Sequence, residues 1–248
     1  MTSRVTSSSP SALDASSPCI DKLQLRPSRV DWVEAGVVSR TVRTQVHCDC
    51  CWAMAVVAAV EALHYMKTNE KLMLSVQELI DCDTQNFGCR GGYSETALEY
   101  VQKHGLSSES TYPYMDRERI LGCKKNKEVA AKISGFVKIM SPTEESLEEA
   151  VARQPVIVRL QCPKSFNDYK GGIIDWPPAL PGEELFLHYV LIVSYDTDSN
   201  GVKFWRFKNS AGENWGEGGV GRLRRHVADK RGVLGIFMYP AMYPVLDS

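Results

Sequence analysis

A thiol at Cys51, an imidazole at His188 and a carboxamide at Asn209 could together carry out nucleophilic chemistry on a carbonyl. The thiolate is the reactive form of cysteine; it needs a base, and the base needs an orienting partner. His188 lies 137 residues after Cys51, and Asn209 follows 21 residues later in Lys-Asn-Ser. Cys51 also opens a stretch, Cys51 to Asn69, that reads as a buried helix. It is rich in Ala, Val, Leu and Met, with apolar residues on most faces. A helix N-terminus stabilises a thiolate through its free N–H groups and its dipole. The Cys51 N–H would face a developing oxyanion, and Gln45 could offer a side-chain N–H as second donor.

Other elements must hold these groups. Ser75 and Glu78, at capping-box spacing, announce a second helix. A third runs from about Ser94 to His104 and stops at Gly105. A fourth starts at Ser141, with Pro142 in its first turn and Glu144 completing a second capping box, and ends before Pro155. Pro27 to Gly36 reads as extended. After Pro155 the texture changes. Val156 to Leu160, His188 to Tyr195, Lys203 to Lys208 and Val220 to Arg224 read as strands, with β-branched and aromatic residues between Gly and Pro breaks. His188 opens its strand on this reading. Helices first and strands second predict an α+β chain with a boundary near Gly135.

The 29 basic and 30 acidic residues balance, which points away from nucleic acid and from a polybasic membrane anchor. No apolar run approaches the roughly 18 residues of a membrane span. The 248 residues, 44% of them hydrophobic, suffice for one large domain or two small ones. Met1 to Pro18 is Ser-rich without an apolar block, so a disordered tail is expected over residues 1–24 and a secretory signal is not; an organelle transit peptide stays open. Eight cysteines suit an oxidising compartment, while the missing signal points to the cytosol. His47, Cys48, Cys50 and Cys51 are too crowded for zinc, so neither metal nor cofactor is expected.

Many blocks in one order resemble the papain family of cysteine peptidases. They are Gln45 with Cys48, Cys51, Trp52 and Ala53; Ser75 to Asp83; Gly88 to Tyr93; Thr111 to Tyr114; Gln154 to Val156; Tyr169 to Ile173; His188; Lys208 to Ser210; Trp215 to Glu217; and Tyr243 to Val245. The resemblance runs from about Val30 to the C-terminus. It implies a two-lobe domain over residues 25–248: a helical lobe of about 37–136, a barrel-like lobe of about 137–248, and a cleft between them. It implies peptide hydrolysis through a Cys51 thioester, with His188 protonating the leaving amine and then activating water. Asn209 would orient His188, and Gln45 would serve the oxyanion. Gly91 and Gly92 would run beside an extended substrate, with Tyr93, Arg159, Tyr189 and Trp215 around it. The same resemblance pairs Cys48 with Cys89 and Cys82 with Cys123, leaving Cys19, Cys50 and Cys162 unpaired. It implies peptide or protein substrates, cystatin-type inhibitors, a monomer, and a lysosomal, vacuolar or extracellular location.

The chain also departs from that pattern. Asp49-Cys50 stands where Gly-Ser is usual, which would put a carboxylate and a second oxidisable thiol beside Cys51. His47 replaces a small residue, and Leu187 precedes His188 where Asp, Asn or a small residue is usual. Ala211 replaces a tryptophan that shields the His–Asn bond, so that bond should be open to water. Arg159, Tyr189 and Tyr239 should narrow the side-chain pocket and add positive charge, favouring small or acidic side chains or blocking it. Both partners of a third bridge are lacking; the matching stretches are Asp175 to Leu185 and Gly232 to Gly235. The family's pro-segment is not found. Two readings follow: an active thiol endopeptidase, or a catalytically weak or inactive homologue that binds peptides or inhibitors in the cleft.

Overall fold

The computed structural model describes residues 26–247, so the Ser-rich stretch 1–24 and Cys19 lie outside the described residues. Helix α1 (Cys51–Thr68) holds no Gly or Pro and ends at Asn69, whose left-handed backbone (φ 60°) lets its N–H bond Tyr65 O. It packs against the helix Ser94–His104 and against one face of a sheet.

Helix α2 (Val76–Cys82) is capped as expected at one end of the box only. Ser75 Oγ accepts from the Glu78 N–H at 3.0 Å. The reciprocal bond is missing, because Ser75 N–H donates to Ser107 O at 2.9 Å. The buried Glu78 carboxylate is claimed by Lys127 Nζ at 2.8 Å, Tyr100 OH at 3.1 Å and the Ser107 N–H at 2.7 Å. A buried charge needs such partners more than a helix end needs a second cap. Helix α3 (Ser94–His104) stops at Gly105, where φ is 72°. Helix α4 (Glu144–Val151) starts later than its sequence suggests. Thr143, not Ser141, is the cap, and Ser146, not Glu144, closes the box. Glu144 is drawn away instead, accepting from Arg225 Nε and from the His226 N–H, both at 3.1 Å.

The strands are β1 (Val30–Asp31), β2 (Gly135–Ile139), β3 (Val156–Pro163), β4 (Ile173–Ile174), β5 (Leu185–Thr197), β6 (Lys203–Lys208), β7 (Val220–Arg224) and β8 (Ala241–Val245). They form one sheet in the order β2-β8-β3-β5-β6-β7-β4, with β1 added to β5. All pairings are antiparallel except β4 with β7. Strands β3 and β5 extend each other: Cys162 faces Phe186 and Pro163 faces Leu185. His188 therefore sits inside β5, opposite Leu160, rather than at its start. Strands β2, β4 and β8 had no sequence signal. β4 is two residues long, β2 is only half-buried, and β8 contains Pro244, which argues against a strand when seen alone.

The run Tyr189 to Val193 is apolar throughout because both faces of β5 are covered. Tyr189, Leu191 and Val193 join the helical core around α1. Val190 and Ile192 join a second core with Phe166, Trp205 and Phe207. The result is an α+β fold with two lobes. Both disulfides, Cys48–Cys89 and Cys82–Cys123, lie on the helical side. Where a third bridge would stand, the Leu234 N–H donates to Trp176 O at 3.1 Å, so backbone joins the two stretches. Among the described residues, no helix is long and apolar enough to cross a membrane.

Candidate active site

Cys51 is the first residue of α1. The loop before it is tied down twice: by the Cys48–Cys89 bridge and by the Asp49 N–H donating to Cys89 O at 3.0 Å. His47 braces the same loop, bonding Asp116 through its N–H at 3.0 Å and its ring at 2.7 Å. Gln45 lines the cleft, and its Oε1 accepts from Ser210 Oγ at 2.6 Å. With the oxygen fixed, the amide N–H groups are left to face an acceptor in the cleft.

His188 comes from β5 and Asn209 from the end of β6, brought level by the Leu191–Lys208 pairing. His188 Nε2 lies 2.7 Å from Asn209 Oδ1, which leaves Nδ1 for Cys51, within hydrogen-bonding reach. The expected exposure of the His188–Asn209 bond is overturned. His188 is 7% exposed and Asn209 6%. Phe166 and Phe186 pack edge-on to the imidazole at 5.7 and 5.9 Å between centroids. Trp215 lies on Phe166 at 4.9 Å, and its Nε1 donates to Phe166 O at 2.9 Å. These rings exclude water although Ala211 is itself exposed.

Burial alone would push the Cys51 thiol up. The charge and hydrogen bond of His188, with N–H groups of Tyr189 and Trp52, overcome it and hold the thiol below its ordinary value. Burial likewise pulls the imidazole down, and the charge and hydrogen bond of Cys51, with Asn209, hold it above its ordinary value. Each partner favours the charged form of the other, so the contact favours a thiolate–imidazolium pair.

Cys50 behaves in the opposite way, and the expectation of a second oxidisable thiol is corrected. It is fully buried, and burial pushes its thiol up to about 12 against the bond to Tyr114 OH at 3.5 Å. A protonated, inaccessible thiol is a poor redox group. Cys50, Cys51 and Cys162 are the free cysteines among the described residues.

A cleft of about 770 Å³ brings Gln45, Cys51, His188 and Asn209 beside Gly91, Gly92, Tyr93, Arg159, Tyr189 and Trp215. Asp49 and Leu187 lie on its wall too. Two glycines are required here. Gly91 has φ 103°, and a Cβ at Gly92 would fall 2.5 Å from Asn86 Oδ1 and 2.8 Å from Trp52. Among the described residues, the Gly92 N–H and C=O have no hydrogen-bond partner. They offer an extended peptide a place to pair.

Sequence reasoning gave no role to Ser210, Phe166 or Tyr114. Ser210 adjoins Asn209 and could have been found from that. Tyr114 stood in a matching block; it holds Cys50 and donates to Gln45 O at 3.3 Å. Phe166 carries no signal in the sequence.

Residues 26–241 match the model of the papain family of cysteine proteases. Vignain of Ricinus communis is 39% identical over 231 residues, covering 92% of this chain and 62% of the relative. Zingipain-2 of Zingiber officinale is 38% identical over 221 residues, covering 88% of this chain and 96% of the relative. Bromelain of Ananas comosus, solved in complex with the inhibitor E64, superposes with a TM-score of 0.82 at 34% identity, covering 89% of this chain and 100% of that one. The chain spans about 62% of the length of vignain and of similar curated relatives. With this match over most of its length, the chain belongs to the papain family of cysteine proteases.

Proposed function

We propose that the protein is a cysteine-type endopeptidase whose nucleophile is Cys51, and the buried Cys51–His188–Asn209 line is the observation that carries this reading. The Cys51 thiolate attacks the scissile carbonyl, forming a C–S bond. The oxyanion meets the Cys51 N–H at the start of α1 and the Gln45 amide. His188 gives its proton to the leaving amine as the C–N bond breaks. It then takes a proton from water, which attacks the thioester and frees Cys51. Asn209 keeps the imidazole facing Cys51 throughout.

The substrate is a peptide or protein segment lying extended along Gly91 and Gly92, with Tyr93, Arg159, Tyr189 and Trp215 contacting it. Inhibitors of the cystatin type would fill the same cleft, and the protein would act as a monomer, its lobes dividing near Gly135. The two disulfides favour an oxidising compartment such as a vacuole, a lysosome or the exterior over the cytosol. The alternative of a binding-only homologue drew on Ala211, Asp49 and Arg159. The burial of the His188–Asn209 bond removes the argument from Ala211. The test is labelling of the purified protein by an E-64-type epoxide. Covalent capture of Cys51, lost in His188→Ala, is expected; no labelling of reduced, folded protein would sink the reading.

A further inference from the structure

Arg159 projects from β3 between the cleft and a side cavity of about 240 Å³. Its guanidinium carbon lies 5.5 Å from the ring centroid of Tyr93, 5.4 Å from Tyr189 and 5.0 Å from Tyr239. Three rings hold the cation in place without neutralising it. Among the described residues it forms no ion pair and donates no hydrogen bond, and its Nε is buried without an acceptor. Neither Nη group has a hydrogen-bond partner among the described residues, and Arg159 lines both the cleft and the side cavity. Other Arg residues behave differently: Arg153 pairs with Glu149 and Arg222 with Glu217. Two carboxylates share the cavity wall. Glu95 is already held by Lys138 Nζ at 2.6 Å, and Glu99 is exposed at its outer edge.

We propose that Arg159, fixed in its tyrosine cage, selects an acidic side chain of the bound peptide. A planar guanidinium with free Nη donors matches a carboxylate in two parallel bonds, which no neutral isostere can reproduce. The carboxylate would complete a half-desolvated cation that the chain itself leaves without an anion. Glu99 tempers the preference by repulsion at the outer edge. The inference rests on the proposed reading only in that a peptide occupies this cleft.

The test therefore avoids turnover. The full chain carrying Cys51→Ala is titrated calorimetrically with blocked peptides that differ at one position only, Glu, Gln, Leu or Lys, scanned over four successive positions. At one position the Glu peptide should bind about tenfold more tightly than the Gln peptide, with the ratio shrinking as salt rises. Adding Arg159→Gln should bring that ratio to about one, whatever it does to the affinity of the Gln peptide itself, and Glu99→Gln should widen it. Equal affinity for Glu and Gln at every position would overturn the proposal. So would a preference that survives Arg159→Gln, or no binding of any peptide. Epoxide labelling of the unmutated chain reports separately on the peptidase reading.

Discussion

The two walls of the cleft are built by different means. The wall carrying Cys51 is a helix end approached by loops, and covalent bonds fix those loops: Cys48–Cys89 and Cys82–Cys123 both lie there. The wall carrying His188 and Asn209 contains no disulfide among the described residues. His188 lies in β5 and Asn209 directly follows β6, its antiparallel neighbour, so backbone register sets their separation. A ladder specifies position residue by residue, because a slip of one would turn His188 to the other face. A loop has no such register and needs a staple. The positions of facing groups in a cleft can thus be written in sheet register on one side and in cross-links on the other.

The largest expected effect cuts the line between the walls. His188→Ala should slow epoxide labelling of Cys51 by about a thousandfold, the scale of a lost general acid–base group plus a lost counter-charge. Stopped-time labelling read by mass spectrometry measures it. A loss of tenfold or less would mean that the helix end alone sustains the thiolate.

Reduction should separate the walls. Each bridge closes 41 residues, worth up to about 4 kcal/mol in the chain-entropy picture. Cys48→Ser with Cys89→Ser should lower stability by roughly 2–4 kcal/mol. Hydrogen exchange should then rise in the loop before α1 and around Gly88 to Tyr93, while β5 and β6 keep their protection. Equal loss in both walls would show that the lobes unfold as one and that the staples serve the whole.

The pH dependence follows from the pair. Cys51 titrates below the ordinary 9.0 of a thiol, and His188 above the ordinary 6.5 of an imidazole. The reactive ion pair is therefore lost on the acid side as the thiolate is protonated, and on the alkaline side as the imidazolium gives up its proton. Labelling against pH should form a bell whose acid limb lies under 9.0 and whose alkaline limb lies above 6.5. In His188→Ala the bell should collapse to one rising limb at a higher pH.

How much of this was legible in the sequence follows the same division. Helix α1 and strand β6 were readable because their residues agree locally with their state: Ala-rich without breakers in one, rich in aromatic residues in the other. That Cys51, His188 and Asn209 meet was readable from type and order. What surrounds them was not. The loss of a shielding tryptophan at Ala211 suggested a wet His188–Asn209 bond, yet Phe166 and Phe186 arrive from elsewhere in the chain to cover it. Glu78 and Glu144 had the spacing of capping residues, but tertiary partners, Lys127 and Arg225, outbid the helix ends. Strand β8 was hidden by Pro244, since pairing with β2 is visible only once both exist. Spacing reports local options, and a long-range partner decides among them.

The smallest effect concerns the adjacent thiols, which differ in partner more than in burial. Cys51 faces His188 and is held below its ordinary value; Cys50 faces Tyr114 and is pushed up to about 12, chiefly by burial. One residue of rotation about the helix start separates a charged group from a neutral one. Cys50→Ala keeps an apolar group in that space and removes only the weak contact to Tyr114 OH. It should cost about 1 kcal/mol of stability, as small truncations in cores do, and change Cys51 labelling by less than about threefold, about 0.7 kcal/mol. If Cys50→Ala instead slowed labelling more than tenfold with the fold intact, Cys50 and Tyr114 would be part of what orients Cys51, and the helix side of the cleft would depend on side-chain register after all.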